Sequence, residues 1–436
     1  MLHVLRGPIV TLIAALVLPL ALAPLVRAQP LPQKNKLAAS PIEASEFVDP
    51  HFSNPSASAA EISNLEAISS PELIKRGCEY IAHQYFQEAS LDFSEVLRRD
   101  PSNISARNNL AVALKRQGQF EAALKQYQEA IKIHPTKAQL HNNLACAYLA
   151  RGDFDKAMES LYNALQIKPD YANARYNLAH VLQIRGDYDA AVEAYQEALR
   201  LEPSSAVIHR DLGDALLSEG QAKSALIEYL AARKLGDDSV QLLLRIARAR
   251  KDAGEYLEAR QVLADVIGKE AKNAEAFNLL GVVAWKQKDL AQAVSHFEKA
   301  LDLDPKYPQA RNNLGIVFYL LHRYPDAVAV WKQALSLKPD YAEVHYNMGA
   351  ALFKAGLFKQ AAEAFGECVR CSPADAKAHN NLGLALFKQG NLEQAITEWR
   401  KALQLDPDLG QAHINLGRAL LRKQDSNSGD DIKESG

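Results

Sequence analysis

An alanine recurs every 34 residues along most of this chain, and this spacing limits the possible folds more than any other sequence feature. Counting back from Ala395 in steps of 34 meets alanine at ten successive positions, the last being Ala89. A proline keeps the same spacing from Pro407 back to Pro101, except at two steps near the middle of the chain. A fixed period of this length indicates a stack of similar structural units.

The most regular unit, Ala376 to Leu409, predicts two helices. Leu382 and Leu386 lie four residues apart, which places both on one face of a helix. A second apolar stripe follows at spacings of three or four residues: Leu392, Ile396, Trp399 and Leu403. Gly390 separates the helices, because glycine adopts the left-handed conformation that ends a helix, and Pro407 stops the second one.

This pattern resembles that of the tetratricopeptide repeat (TPR) family. The residues that carry the resemblance in the last unit are Leu382, Gly383, Gly390, Ala395, Trp399, Ala402 and Pro407. It covers residues 70–409 in ten units without insertion. The resemblance implies an all-α fold, a right-handed TPR superhelix (α-solenoid) of about ten 34-residue helix-turn-helix repeats. It also implies a concave groove that binds peptide segments of partner proteins.

Length and charge agree with one elongated domain that binds proteins. A repeat array grows by stacking, so 436 residues do not require two or three globular domains. The composition, 48% apolar and 23% charged, is sufficient for a continuous core. A formal net charge of −2 creates no field that would attract nucleic acid or an anionic membrane. We therefore expect protein or peptide partners, no nucleic acid and no small-molecule substrate.

Residues 1–28 have the three-part layout of a secretory signal peptide. Arg6 precedes an apolar run from Ile9 to Val26, and Ala28 suits a cleavage site before Gln29. The sequence therefore predicts export, to a periplasm, a lumen or the medium. The alternative is an uncleaved signal anchor, because the run approaches the ~20 residues that span a bilayer. Only that alternative predicts contact with a membrane.

The segments that flank the repeats have simpler sequences. Residues 29–69 are rich in Pro, Ser and Ala without sustained periodicity, which predicts a disordered linker. Order is predicted to begin at Ser70, as an N-cap residue before a proline. After the repeats, residues 410–424 are predicted to form a C-terminal capping helix, and residues 425–436 a disordered tail.

Repeats five and six, residues 206–273, depart most from the pattern. Both lack the closing proline, and Gly236 and Gly268 lie just before the two gaps. These features predict a hinge that opens before the rest of the array. The alternative is drift of the sequence with the helical packing intact.

An asparagine ladder is the most regular candidate for binding a partner: Asn109, Asn143, Asn177, Asn313, Asn347, Asn381 and Asn415. Asp211, Arg245 and Leu279 interrupt it. An asparagine amide donates and accepts hydrogen bonds, so a row of them can hold the backbone of an extended peptide whatever its sequence. The alternative is that these amides bond to neighbouring helices and hold the stack together.

A second pair of ladders distinguishes the later repeats. The aromatic ladder consists of Trp285, Tyr319, Phe353 and Phe387, and the basic ladder of Lys286, Lys354, Lys388 and Arg422, with Leu320 at the same register. Arg418 of the last helix joins the basic set. Aromatic faces beside cations suit a peptide with apolar side chains and carboxylates. The alternative is that the aromatic rings pack against the next repeat.

Sequence motifs for catalysis, redox chemistry or metal binding are weak, so no catalytic residue, cofactor or metal is predicted. Cys368 and Cys371 form a C-x-x-C late in a helix, where the dipole raises the pKa of a thiol. Histidines share one register, but rungs a repeat apart rarely share a zinc ion. The sequence predicts an exported scaffold or assembly factor, not an enzyme. The alternatives are a metal-delivery or redox helper for assembly of a membrane-associated complex, and a membrane-anchored adaptor.

Overall fold

The computed structural model describes residues 68–434, with side chains described for residues 68–424. Every regular element in that part of the chain is an α-helix, which confirms the all-α prediction. None of these helices is both long enough and apolar enough to cross a bilayer. The predicted signal peptide and all but the last two residues of the predicted linker lie outside the described residues. The helices belong to two compact units, which meet in sequence between Glu255 and Tyr256.

The helices alternate along the chain as first and second helices of the 34-residue period. We call the odd-numbered ones A helices and the even-numbered ones B helices. In the first unit they are α1 Ser70–Ala82, α2 Phe86–Arg99, α3 Ile104–Arg116, α4 Phe120–Ile133, α5 Ala138–Arg151, α6 Phe154–Ile167, α7 Ala172–Arg185, α8 Tyr188–Leu201, α9 Ala206–Ser218, α10 Ala222–Lys234 and α11 Val240–Asp252.

The second unit continues the same alternation. Its helices are α12 Tyr256–Lys269, α13 Ala274–Lys286, α14 Leu290–Leu303, α15 Pro308–Leu320, α16 Tyr324–Leu337, α17 Ala342–Lys354, α18 Phe358–Cys371, α19 Ala376–Lys388, α20 Leu392–Leu405 and α21 Gly410–Glu434. One apolar core runs through this unit from Ala284 to Ala419.

The turn between the helices of a repeat requires a left-handed residue. Gly390 has φ 90° there, as predicted, and glycine fills the same register in most other repeats. Three repeats place Gln84, Lys288 and His322 at this position, with φ between 59° and 66°. Side chains in this conformation cost about 1 kcal/mol or more each, so the helix packing on both sides must hold these turns.

Glycines in the A helices allow the aromatic rings of the B helices to approach closely. A Cβ added at Gly383 would lie 2.9 Å from Nε1 of Trp399, and one at Gly315 would lie 2.4 Å from Nε1 of Trp331. The same glycine–aromatic contact joins four further pairs: Gly77 with Phe93, Gly213 with Tyr229, Gly281 with Phe297 and Gly349 with Phe365. This confirms that small residues let the helices of one repeat pack together.

The two ends of the array differ from the predictions in detail. The N-cap of α1 is Ser69 rather than Ser70, because the backbone N–H of Ser69 donates to the Glu72 carboxylate at 3.1 Å. Helix α21 begins at Gly410 but continues to Glu434, beyond the predicted end at Gln424. The sequence after Gln424 has neither a proline that would stop the helix nor an apolar period that would predict one.

The stretch predicted to be weak, residues 206–273, includes the sequence boundary between the two units. Gly236 has φ 104° in the turn after α10, where a closing proline is missing. The order in which the repeats open stays a prediction.

Candidate partner-binding face

Successive A helices of the first unit are joined through paired asparagines. The Nδ2 of Asn143 donates to Oδ1 of Asn108 at 3.0 Å, and Asn177 donates to Asn142 at 2.8 Å. At the start of the row, Asn109 instead donates to the sulfur of Cys78 at 3.3 Å. Each ladder amide therefore bonds to the preceding A helix.

The second unit repeats the arrangement. Asn313 donates to Asn278 at 3.0 Å, Asn347 to Asn312 at 3.2 Å and Asn415 to Asn380 at 3.0 Å. Asn381 donates to the hydroxyl of Tyr346 at 2.9 Å, because tyrosine replaces the accepting asparagine in that repeat.

This arrangement changes the interpretation of the asparagine ladder. Its members are at most 6% exposed, except the half-buried Asn313: Asn109, Asn143, Asn177, Asn347, Asn381 and Asn415. Contact between these amides and a peptide backbone is therefore not supported, and the alternative role between helices is the one that the geometry supports. The sequence signal that we missed is the doublet, as in Asn142-Asn143, which supplies an acceptor beside each donor.

Two of the four members of the aromatic ladder are buried in the core. Tyr319 and Phe353 are 8% and 6% exposed, and their rings pack on Tyr324 and Phe358 at the start of the following B helix, with centroids 5.4 and 5.2 Å apart. The peptide-binding role is therefore not supported for these two. Trp285 and Phe387 are half-buried, so only part of each ring faces solvent.

The basic ladder is the predicted set that the fold leaves exposed. The side chains of Lys286, Lys354, Lys388, Arg418 and Arg422 are all exposed, and Leu320 is 38% exposed. Two of the cations lie near half-buried rings: Lys286 lies 5.8 Å from the centroid of Trp285, and Arg422 lies 5.3 Å from that of Phe387. These exposed groups are available to bind a carboxylate.

Near the end of the first unit, from Asp211 onward, a charged cluster replaces the asparagine ladder. Asp211 accepts from the Tyr176 hydroxyl at 2.6 Å and from Arg210 at 2.9 Å. On the same helix α9, Asp214 accepts from the Tyr229 hydroxyl at 2.6 Å, and Arg245 of the next A helix donates to both Asp214 carboxylate oxygens at 2.8 and 3.0 Å. Ion pairs in this half-buried setting are shielded from solvent, so they contribute more than surface pairs.

His180 lies beside this cluster and is a buried group that acid would charge. It is 5% exposed, and neither ring nitrogen has a hydrogen-bond partner. Burial lowers the pKa of His180, and the nearby Asp211 carboxylate opposes that effect only in part. A histidine with a lowered pKa stabilises the fold above its unfolded pKa of about 6.5, and this contribution is lost as the pH falls through its folded value.

We therefore expect the free energy of unfolding of the first unit to fall between pH 7 and pH 5. Glutamine at this position does not titrate, so His180→Gln reduces the slope, by at most about 1.4 kcal/mol per pH unit for one proton. Urea denaturation at several pH values measures the slope, with the exposed His134→Gln as control. Parallel curves for the wild type and His180→Gln would contradict the prediction.

The histidines that share one register have a structural role. In five repeats the ring nitrogen bonds to a proline carbonyl six residues earlier, at 2.8–3.2 Å: His141, His209, His345, His379 and His413. Of the C-x-x-C pair, Cys368 is buried and Cys371 is half-buried. Cys78, in the first repeat, is also buried, and this burial raises the pKa of its thiol to about 11. Within the described side chains, no group of three His, Cys, Asp or Glu residues has the geometry to hold a metal ion.

Comparison with family models identifies these helix pairs. Models described as tetratricopeptide repeat match residues 74–138, 108–172, 172–205, 244–308 and 364–397. A model described as TPR repeat matches residues 317–356 and 383–424. The chain belongs to the tetratricopeptide repeat family. TPR folds generally bind protein or peptide partners, so this TPR protein has a fold suited to protein–protein interaction.

Solved structures similar to this TPR protein are distant in sequence. PilF of Pseudomonas aeruginosa is 20% identical, over 48% of this chain and 94% of its own, with a TM-score of 0.43. A thermophilic TPR protein of Thermus thermophilus is 23% identical, over 42% of this chain and 98% of its own, with a TM-score of 0.38. Yeast Tom70 is 16% identical, over 84% of this chain and 91% of its own, with a TM-score of 0.43. No curated protein sequence matches the chain.

Proposed function

We propose that this TPR protein is an exported scaffold or assembly factor that binds an acidic segment of a partner protein. The basic ladder of the second unit supports the proposal best, because it places an exposed cation at the same register of four A helices: Lys286, Lys354, Lys388 and Arg422. Export rests on the signal-peptide layout of residues 1–28.

The second unit offers more than charge to such a segment. The half-buried faces of Trp285 and Phe387 lie beside two of the cations, and the exposed Leu320 interrupts the basic ladder with an apolar side chain. An acidic segment with interspersed apolar residues therefore fits this face better than a uniformly charged one. Because the asparagine amides are bonded between helices, this face would recognise the side chains of the partner segment rather than its peptide backbone.

The test begins with a pull-down that uses residues 29–436 as bait on the exported fraction. Affinity for the captured partner is then measured for the variant Lys354→Ala/Lys388→Ala. Because both lysines are exposed, each contact contributes about 0.2–1 kcal/mol, so the double variant should bind about 2- to 30-fold more weakly. The difference should shrink as salt is added, since salt screens exposed charges.

The matched control is Lys332→Ala/Lys359→Ala, which removes two exposed lysines from the B helices of the same unit. Lys115 on α3 is unsuitable as a control, because it is only 9% exposed. Equal affinities for the two double variants would rule out the basic ladder as the binding site. Thermal unfolding of both variants should match that of the wild type.

A further inference from the structure

Helix α21 has the register and contacts of an A helix that begins an eleventh repeat. It packs against α19 and α20. His413 bonds to the carbonyl of Pro407 at 2.8 Å, as the register histidines do in earlier repeats. The amide of Asn415 donates to Asn380 at 3.0 Å and so continues the pairing between A helices. Within the described residues, no B helix follows it.

The surface that a B helix would cover is exposed on α21. In six earlier A helices, a Cβ added to the glycine that contacts an aromatic ring would lie 2.4–2.9 Å from that ring. Gly417 lies at the same register, and a Cβ added there would meet no atom within 4 Å. Around it, Ile414, Leu420 and Leu421 are 47%, 40% and 64% exposed. Large side chains exposed together in this way are typical of an interaction surface.

We propose that α21 docks an amphipathic helix of a partner protein, with an aromatic residue of that helix seated on Gly417. The earlier repeats define what such a helix must carry. Each of their B helices that meets a glycine places an aromatic ring on it, and α20 has alanine four residues before its ring and three residues after it. A docked helix completes the repeat when it presents Ala-x-x-x-aromatic-x-x-Ala, as Ala395, Trp399 and Ala402 do in α20.

Charge further defines this partner helix as acidic. Residues 410–424 contain three basic residues and no aspartate or glutamate. Lys423 pairs with Glu393 of α20 at 2.6 Å, so the exposed Arg418 and Arg422 carry the charge that a partner helix would meet. Opposite charge on the docking helix favours association and excludes basic competitors.

A second copy of this chain is a poorer occupant. Its own B-helix residues at the aromatic register are at most 1% exposed in the described part of the chain, so none is available without unfolding a repeat: Phe93, Tyr127, Leu161, Tyr195, Tyr229, Leu263, Phe297, Trp331, Phe365 and Trp399. Pairing of two α21 helices would bring Arg418 and Arg422 of each copy together.

The probe is a labelled peptide with the sequence of α20, glutamate in place of Arg400 and Lys401, and a lactam bridge that holds it helical. We expect fluorescence anisotropy to show binding to the full chain, and alanine in place of the tryptophan to weaken it about thirtyfold or more, as for a buried aromatic anchor. Gly417→Leu should have a similar effect, because leucine occupies the place of the ring. A peptide with lysine in place of all its glutamates should bind more weakly.

The control is Gly366→Leu on α18, where an added Cβ likewise meets no atom within 4 Å. Both substitutions replace a helical glycine with a better helix former, so neither should lower the melting temperature. The proposal is overturned if the probe does not bind, or if it binds Gly417→Leu and the wild type equally. It is also overturned if sedimentation shows a dimer that Gly417→Leu abolishes, because a second copy would then occupy the face.

Discussion

Replacing Trp331 by alanine is expected to lower the free energy of unfolding of the second unit by about 3–5 kcal/mol, the range for a buried aromatic truncated to alanine. Trp331 has no exposed surface and packs directly on Gly315. Its Nε1 also donates to the backbone and side-chain oxygens of Asn312, both at 3.2 Å. Asn312 in turn accepts the amide of Asn347 from the next repeat. The substitution therefore opens a cavity and loosens a contact between repeats.

Urea denaturation followed by circular dichroism measures this loss, and amide exchange shows which helices open. Trp285→Ala is the matched control, because the half-buried ring of Trp285 should cost less to remove. Exchange should accelerate most in α15, α16 and α17, since repeat arrays lose stability locally. A loss below about 1 kcal/mol for Trp331→Ala would show that the repeat closes over the missing ring.

Replacing Asp214 by alanine is expected to destabilise the first unit by about 2–3 kcal/mol. The Asp214 carboxylate accepts from both Arg245 and the Tyr229 hydroxyl, whose pKa is raised well above its usual value, mainly by burial. Removing it leaves a guanidinium and a phenol without their acceptor, which costs more than the pair contributes when intact. The side chains are 24% and 15% exposed for Arg245 and Asp214, so the value lies below that of a fully buried pair.

A double-mutant cycle separates the lost pair from the unpaired charge. Asp214→Ala/Arg245→Ala should recover part of the loss of Asp214→Ala, because the unpaired guanidinium is then absent. Glu197→Ala breaks the exposed pair with Arg200 in the same unit and should cost less than about 1 kcal/mol. If the losses of free energy for Asp214→Ala and Arg245→Ala add up to the loss for the double variant, Arg245 and Asp214 do not depend on each other.

The repeat period predicted the helices and the core because both follow from spacing alone. Gly390, Trp399 and Pro407 occupy the positions that the pattern assigns to turn, core and helix end. Spacing could not decide the roles of the asparagine and aromatic ladders. Both ladders were predicted to be free to bind a partner, but the stack gives them other contacts. Asn347 is buried and donates to the preceding A helix, and Phe353 is buried against Phe358 at the start of the following B helix.

Exposure and charge at the ends of helices were easier to predict. Lys354 and Lys388 stand just before the turn of their repeats, where no neighbouring helix covers them. The end of α21 was not predicted, because its last residues have no apolar period. Elongation of an existing helix needs only backbone hydrogen bonds, which leave no such pattern in the sequence.

The direction of the asparagine pairing determines which repeats are interchangeable. Each amide donates to the preceding A helix, and Asn177 would find the same acceptor in Asn108 as in Asn142 if one period of 34 residues were lost between them. Asp211 is different, since it accepts from the hydroxyl of Tyr176 and has no amide to donate. The asparagine pairing is thus compatible with duplication or loss of whole repeats that carry it, whereas the bond from Tyr176 to Asp211 requires those two repeats to stay adjacent and in that order.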